Sequence, residues 1–198
     1  MSDPHATARR IGIFGGTFDP IHLGHLVLAE DAVREVGLDE VVFVPAFLAP
    51  LRSEEPRSEP PHRWEMVRRA IGGFPRFSAD DFEIRAGRQV YSIETVRHFA
   101  EERPGDELFF LIGGDQVRRL GEWKGIDEFR RLATFVCARR EEGNEFSGDP
   151  RLLPLPSRRI DVSGTEIRDR AARAEPVRSL VPGPVADYLE EHSLYRRG

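Results

Sequence analysis

Four short runs are almost continuously apolar: IGIFGG at 11–16, EVVFVPA at 40–46, ELFFLIGG at 107–114 and ATFVCAR at 133–139. They lack the alternation of a sheet that is wet on one face, so as strands they must be covered on both faces, as in a parallel sheet between helical layers. The segments between them have helical spacing. From about His22 to Val36 the apolar positions Leu23, Leu26, Val27, Ala29, Ala32, Val33 and Val36 recur with a helix period, and Gly37 supplies the stop. Strand, helix and strand within about 35 residues form a βαβ unit, and its repetition predicts an α/β fold with a doubly wound, mostly parallel sheet.

At 198 residues the chain is expected to form one domain, 1–198. PHRWEMVRRAI is predicted helical with Trp64 in the core, DFEIR (81–85) a strand, and SIETVRHFAEER (92–103) a helix capped by Ser92. A C-terminal helical segment spans about 164–195, with Val185, Tyr188 and Leu189 on one packing face. Residues 46–61 hold four of the fifteen prolines among mixed charges, and are expected to form an extended flap beside the site. There is no internal repeat of fixed period.

Composition removes several function classes. The net charge of −5 leaves no positive excess to displace counterions from nucleic acid, so a nucleic-acid partner is not expected. No run approaches the ~20 apolar residues of a membrane span, so a soluble, cytoplasmic protein without a membrane partner is expected. Cys137 is the one cysteine, in a strand-like setting, and reads as a structural thiol. Of 29 basic residues only Lys124 is a lysine, and it lies outside any G-x-x-x-x-G-K-[ST] loop. Phosphate groups must therefore be met by backbone amides, histidine and arginine.

Open α/β sheets bind ligands beyond the carboxyl ends of their strands. Three segments fall there: Gly15 to His25, Gly113 to Asp115, and Asp161 to Arg168. In the first, Gly15 and Gly16 allow close backbone approach to a phosphate, and His22 and His25 share one face of a helix start whose free amides favour anions. In the third, Ser163 or Thr165 caps a helix and Arg168 lies within reach of the same anion. Trp123, between Glu122 and Lys124 in a glycine-bounded loop, is placed to stack on an aromatic ligand. Asp19 either closes an Asp-Pro turn or faces a histidine or metal. No Ser-His-Asp or paired-carboxylate arrangement points to hydrolysis.

GTFDPIHLGH resembles the (H/T)xGH signature of the nucleotidyltransferase superfamily, and VSGTEIR its ISxTxIR element. Within it the chain looks like the bacterial nicotinate-nucleotide adenylyltransferase family. VVFVPAFLAPLR, RQVYSIETV, FLIGGDQVRRLGEWKGIDE and VPGPVADYLEEHSLY add to the likeness, which covers nearly the whole chain. It implies a Rossmann-like fold and adenylyl transfer from ATP to nicotinate mononucleotide, giving nicotinate adenine dinucleotide and pyrophosphate. By the same resemblance His22 and His25 contact the ATP phosphates and, with Arg168, act in catalysis. Gly15, Gly16, Thr17 and Phe18 line the ATP site, Gly113 and Asp115 hold the ribose, and Ser163, Thr165 and Arg168 take the outer phosphates. Trp123 stacks on the pyridine, bordered by Tyr91, Ser92 and Lys124, with Arg52 of the flap nearby. Mg²⁺ is expected on the ATP phosphates, without side-chain ligands, in a monomer or homo-oligomer. Leu51, Arg52, Val90 and Gly164 depart from the family pattern. The alternatives are an adenylyl- or cytidylyltransferase with another phosphorylated acceptor, such as phosphopantetheine, and a nucleotide-binding regulator without turnover.

Overall fold

The computed structural model describes residues 8–48, 56–138, 150–156, 158 and 160–196, with Asp115 by its backbone alone. Its strands are β1 (Arg10–Gly16), β2 (Glu40–Pro45), β3 (Phe77–Ala79), β4 (Glu107–Gly113), β5 (Ala133–Ala138) and β6 (Leu152–Leu155). They form one parallel sheet in the order β3-β2-β1-β4-β5-β6. The helices are α1 (Leu23–Val36), α2 (Pro60–Ile71), α3 (Phe82–Ala86), α4 (Ser92–Glu102), α5 (Gly114–Val117), α6 (Ile126–Leu132), α7 (Gly164–Ala172) and α8 (Gly183–Glu191).

The unbroken apolar runs are explained by a hydrophobic cluster on each face. Ile11, Ile13, Phe110, Ile112 and Phe135 point toward Ile93, Val96 and Phe99 of α4 and Phe129 of α6. Phe14, Phe43, Phe109 and Leu111 point the other way, toward Leu26 of α1, Met66 of α2, Ile167 of α7 and Val185 and Leu189 of α8. Cys137 is fully buried in β5, as its strand setting predicted. No helix among the described residues is long and apolar enough to cross a membrane.

Several expectations need correction. DFEIR is not a strand: the strand is Phe77–Ala79, and Phe82–Ala86 is helix. The Asp80 carboxylate accepts the Phe82 N–H at 2.7 Å, Asp81 pairs with Arg85 four residues on, and Gly87 at φ 63° closes the turn onto the Ile84 carbonyl. These local contacts override the strand-like composition. Ser92 is the first helical residue of α4, not its cap; Tyr91 is the cap, and its N–H is taken by Glu94 Oε1 at 3.0 Å. The 164–195 segment is two helices, and β6 was not anticipated. Trp64 is half-buried and joins neither cluster, because its neighbour Arg63 takes the inward position on α2.

The chain builds β1, β2 and β3 outward on one side, then returns to set β4 against the other side of β1. Strand order therefore reverses between β1 and β4, which opens a crevice at their carboxyl ends.

Candidate active site

The residues after β1 form the first wall. The chain leaves the sheet at Gly16, turns through Phe18 at φ 49° and the cis Asp19–Pro20 bond, and enters α1 with His22 as its extended N-cap residue. The His22 N–H donates to His25 Nδ1 at 3.2 Å, and the His22 ring closes over the N–H of residue 25. A backbone N–H can only donate, so the proton of a neutral His25 sits on Nε2, which makes that nitrogen a donor. The two imidazoles stack with centroids 3.7 Å apart. Gly24 is required by this stack: a Cβ there would lie 3.1 Å from His22 Nδ1 and 3.2 Å from Cε1. The Phe18 ring is buried, edge-on to His25 and Phe14 and tilted against Phe43, and props the histidine, which leaves the backbone groups of Phe18 for the site as expected.

The third predicted segment meets this turn from behind. Ser163 caps α7, its Oγ accepting the Glu166 N–H at 3.1 Å. Arg168 donates from Nη1 to the Asp19 carbonyl at 2.7 Å and from Nη2 to Thr165 Oγ1 at 3.1 Å. Part of the donor set expected to grip an anion is thus engaged by the Asp19 carbonyl and by Thr165. At Gly164, which departs from the family pattern, a Cβ would stand 3.0 Å from the Asp19 carbonyl oxygen and 3.1 Å from Arg168 Nη1.

Asp19 resolves toward the turn-closing reading. Its carboxylate accepts the N–H groups of Arg57 (2.8 Å) and Ser58 (3.2 Å), the Ser58 hydroxyl and the Tyr195 hydroxyl (2.6 Å). Burial and the adjacent Asp19 charge push the Tyr195 phenol well up, which keeps it a donor. Ser58, Tyr195 and the entirely buried Arg63 were all missed from sequence. Arg63 donates to the carbonyls of Ser58 (3.2 Å), Thr17 (2.9 Å), Phe47 (3.0 Å) and Ala46. Its guanidinium ties residues 46, 47 and 58, from the two ends of the segment expected to form a flap, to Thr17 after β1; residues 49–55 of that segment lie outside the described residues. A detectable signal existed: Arg63, Met66, Val67 and Ala70 recur at helical spacing, which puts a charge on the buried stripe of α2.

Between the ends of β1 and β4 lies a cavity of about 390 Å³. It brings together Gly15, Gly16 and Thr17 of the first segment, Gly113 of the second, and Tyr91, Ser92, Trp123 and Lys124. His22, His25, Phe18, Ser163, Thr165 and Arg168 do not line it, and lie on or behind the histidine turn. Asp115 sits in α5 between the lining residues Gly113 and Gln116; its side chain, like all of Arg52, lies outside the described residues. Trp123 packs edge-on against Phe110, Phe129 and Phe135, so it lines the cavity from a fixed position. The Lys124 ammonium stands 4.4 Å from the centre of the Tyr91 ring. Thr17 Oγ1 and Trp123 Nε1 are buried without a hydrogen-bond partner among the described residues.

Glu83 was also missed, concealed by the strand reading of DFEIR. It lines the cavity from α3, buried, with Oε1 accepting the Thr95 hydroxyl at 2.7 Å. Burial pushes its carboxyl up to about 7; Glu94 adds to the rise, while the Thr95 hydrogen bond and Arg63 oppose it.

Residues 13–170 match the family model described as cytidylyltransferase-like. Over 187 residues the chain is 42% identical to a protein of Shouchella clausii named probable nicotinate-nucleotide adenylyltransferase, covering 94% of this chain and 97% of that one. A protein of the same name from Rubrobacter xylanophilus is 41% identical, with coverages of 94% and 92%. The fold matches that of Plasmodium falciparum nicotinic acid mononucleotide adenylyltransferase complexed with NaAD, at a TM-score of 0.75 and 19% identity, over 94% of this chain and 97% of that one.

Proposed function

The chain belongs to the cytidylyltransferase-like family, and from that membership we propose that it transfers the adenylyl group of ATP to nicotinate mononucleotide, forming nicotinate adenine dinucleotide and pyrophosphate in NAD biosynthesis. The choice of acceptor is carried by relatives of that name, which are 41–42% identical over 94% of the chain.

A phosphate oxygen of the mononucleotide attacks the α-phosphorus of ATP, and the bond from that phosphorus to the β-bridging oxygen breaks. The attacking phosphate has a second pKa of about 6 and is largely dianionic at neutral pH, so no general base is required. The difficulty is that two polyanions must meet. Alignment of the reacting atoms is worth up to roughly 7–11 kcal/mol, against about 3–5 kcal/mol for proton transfer giving 10²–10⁴. A site built for positioning suits this reaction.

The amides at the start of α1 and the Nε2–H of His25 would meet the ATP phosphates, with His22 held beside them by the stack. Arg168 would add its charge and its remaining N–H groups from behind the turn. Gly15, Gly16 and Thr17 would give backbone contacts, Gly113 and Asp115 the ribose contact, and Ser163 and Thr165 contacts to the outer phosphates. Trp123, Tyr91, Ser92 and Lys124 would receive the pyridine end in the cavity. Mg²⁺ would enter on the ATP phosphates. The Asp19 carboxylate is engaged by Arg57, Ser58 and Tyr195 instead of serving as its ligand.

Pyrophosphate release with ATP and each candidate acceptor tests this. Turnover with nicotinate mononucleotide is expected; preference for phosphopantetheine would reassign the acceptor, and no release with any acceptor would make the protein a binding module.

A further inference from the structure

Glu83 has no part in the chemistry above, yet it is a buried carboxyl on the wall of the acceptor cavity. One of its oxygens takes the Thr95 hydroxyl, and among the described residues no other hydrogen bond to its carboxyl is present. The cavity also carries Trp123, Tyr91 and Ser92, so Glu83 shares its space with the group that a stacked pyridine would present. Resting on the acceptor proposed above, we infer that Glu83 reads the pyridine substituent, donating a carboxyl proton to the carboxylate of nicotinate mononucleotide.

The physical reason is charge. At its buried position an ionised Glu83 would face the nicotinate carboxylate with like charge and no proton between them, whereas the acid form donates a short, charge-assisted hydrogen bond. A nicotinamide substituent imposes no such demand: its carbonyl accepts from the acid form, and its NH₂ donates to the ionised form. Nicotinate is therefore bound by one protonation state and nicotinamide by both.

The surroundings hold the group near its switching point. From α4, Glu94 lies close enough to disfavour ionisation, and the Thr95 hydroxyl favours it. From α2, Arg63 favours it, although that charge is also shared with Asp19. Across the cavity stand Glu122, Lys124 and the Tyr91 ring, with Lys124 over Tyr91. Burial is the largest influence and keeps the proton on to about pH 7.

The test is the ratio of kcat/KM for nicotinate mononucleotide to that for nicotinamide mononucleotide, measured from pH 5.5 to 9. Both acceptors carry the same phosphate, so its titration cancels. For the unmodified protein the ratio should fall about tenfold between pH 6 and pH 8, since kcat/KM follows the free enzyme's titration. Glu83→Gln keeps an acceptor for Thr95 and turns a permanent N–H donor to the cavity; its ratio should favour nicotinate and stay flat with pH. Thr95→Val removes the bond that favours the ionised form, and should move the midpoint to higher pH while Glu83 remains. A ratio independent of pH in the unmodified protein, or an unchanged slope in Glu83→Gln, would overturn the inference and leave the adenylyl transfer standing. Absence of pyrophosphate with either mononucleotide at every pH would overturn the proposed function, and this inference with it.

Discussion

Replacing Arg63 with lysine keeps the charge and removes the fork. The guanidinium spreads its donors over four backbone carbonyls, at residues 17, 46, 47 and 58, with no solvent to substitute for them. An ammonium offers three donors from one point, so it can serve about two of those carbonyls and strands the others. Hydrogen bonds from a charged group contribute about 1.5–3 kcal/mol each, so the expected loss is about 3–6 kcal/mol. For a chain of this size that lowers Tm on the order of 10 °C, at 2–4 °C per kcal/mol. Arg63→Met should lose more still, because it also removes the charge facing Asp19. Urea and thermal unfolding of the two variants measure this. Thr17 and Ala46 line the cavity, so the rise in Tm on adding nucleotide should shrink in parallel. A loss below about 1 kcal/mol for the lysine variant would refute the account of Arg63 as the fastening of flap to turn.

His25→Ala should lower kcat far more than it weakens ATP binding; an unchanged kcat with a raised KM would remove His25 from its role. Gly24→Ala should cost little stability, since alanine gains about 1 kcal/mol of helix propensity, but its Cβ displaces the His22 ring and turnover should drop; retained turnover counts against the stacked pair. Tyr195→Phe deletes the donor to Asp19 and should cost about 1.5–3 kcal/mol in urea unfolding, with no loss expected only if the Asp19 network is unimportant. Because the Glu83 carboxyl is raised from 4.5 to about 7, the folded state holds its proton longer than the unfolded chain does. Its stabilising contribution is complete below about pH 4.5 and is lost as pH rises through about 7, by at most about 3 kcal/mol. Unfolding titrations of the unmodified protein and Glu83→Gln should differ in slope across that window.

The sheet was legible because a strand buried on both faces must be apolar throughout, and β1, β2, β4 and β5 all are. β3 and β6 were not: three residues of FSA and the proline-containing LLPL are too short and mixed to show a period, and edge strands bury less. The histidine turn was legible as a motif, since two glycines and two imidazoles in one strand-to-helix connection have few structural uses. What escaped were partners distant in sequence. Asp19 meets Ser58 and Tyr195, Arg63 meets Thr17, and Arg168 meets the Asp19 carbonyl, and no local pattern announces such pairs. Glu83 escaped for another reason, a helix mistaken for a strand, which hid the one residue of α3 that turns inward.

The bond between Tyr195 and Asp19 joins positions 176 residues apart. During synthesis the loop at Asp19 leaves the ribosome well before its hydroxyl partner, which lies 176 residues further on. Until then the histidine turn lacks one of its anchors, so a nascent chain that has already formed the β1–α1–β2 unit should still be poorly competent for nucleotide. Competence would depend on when Tyr195 becomes available to Asp19, rather than growing evenly with the length translated.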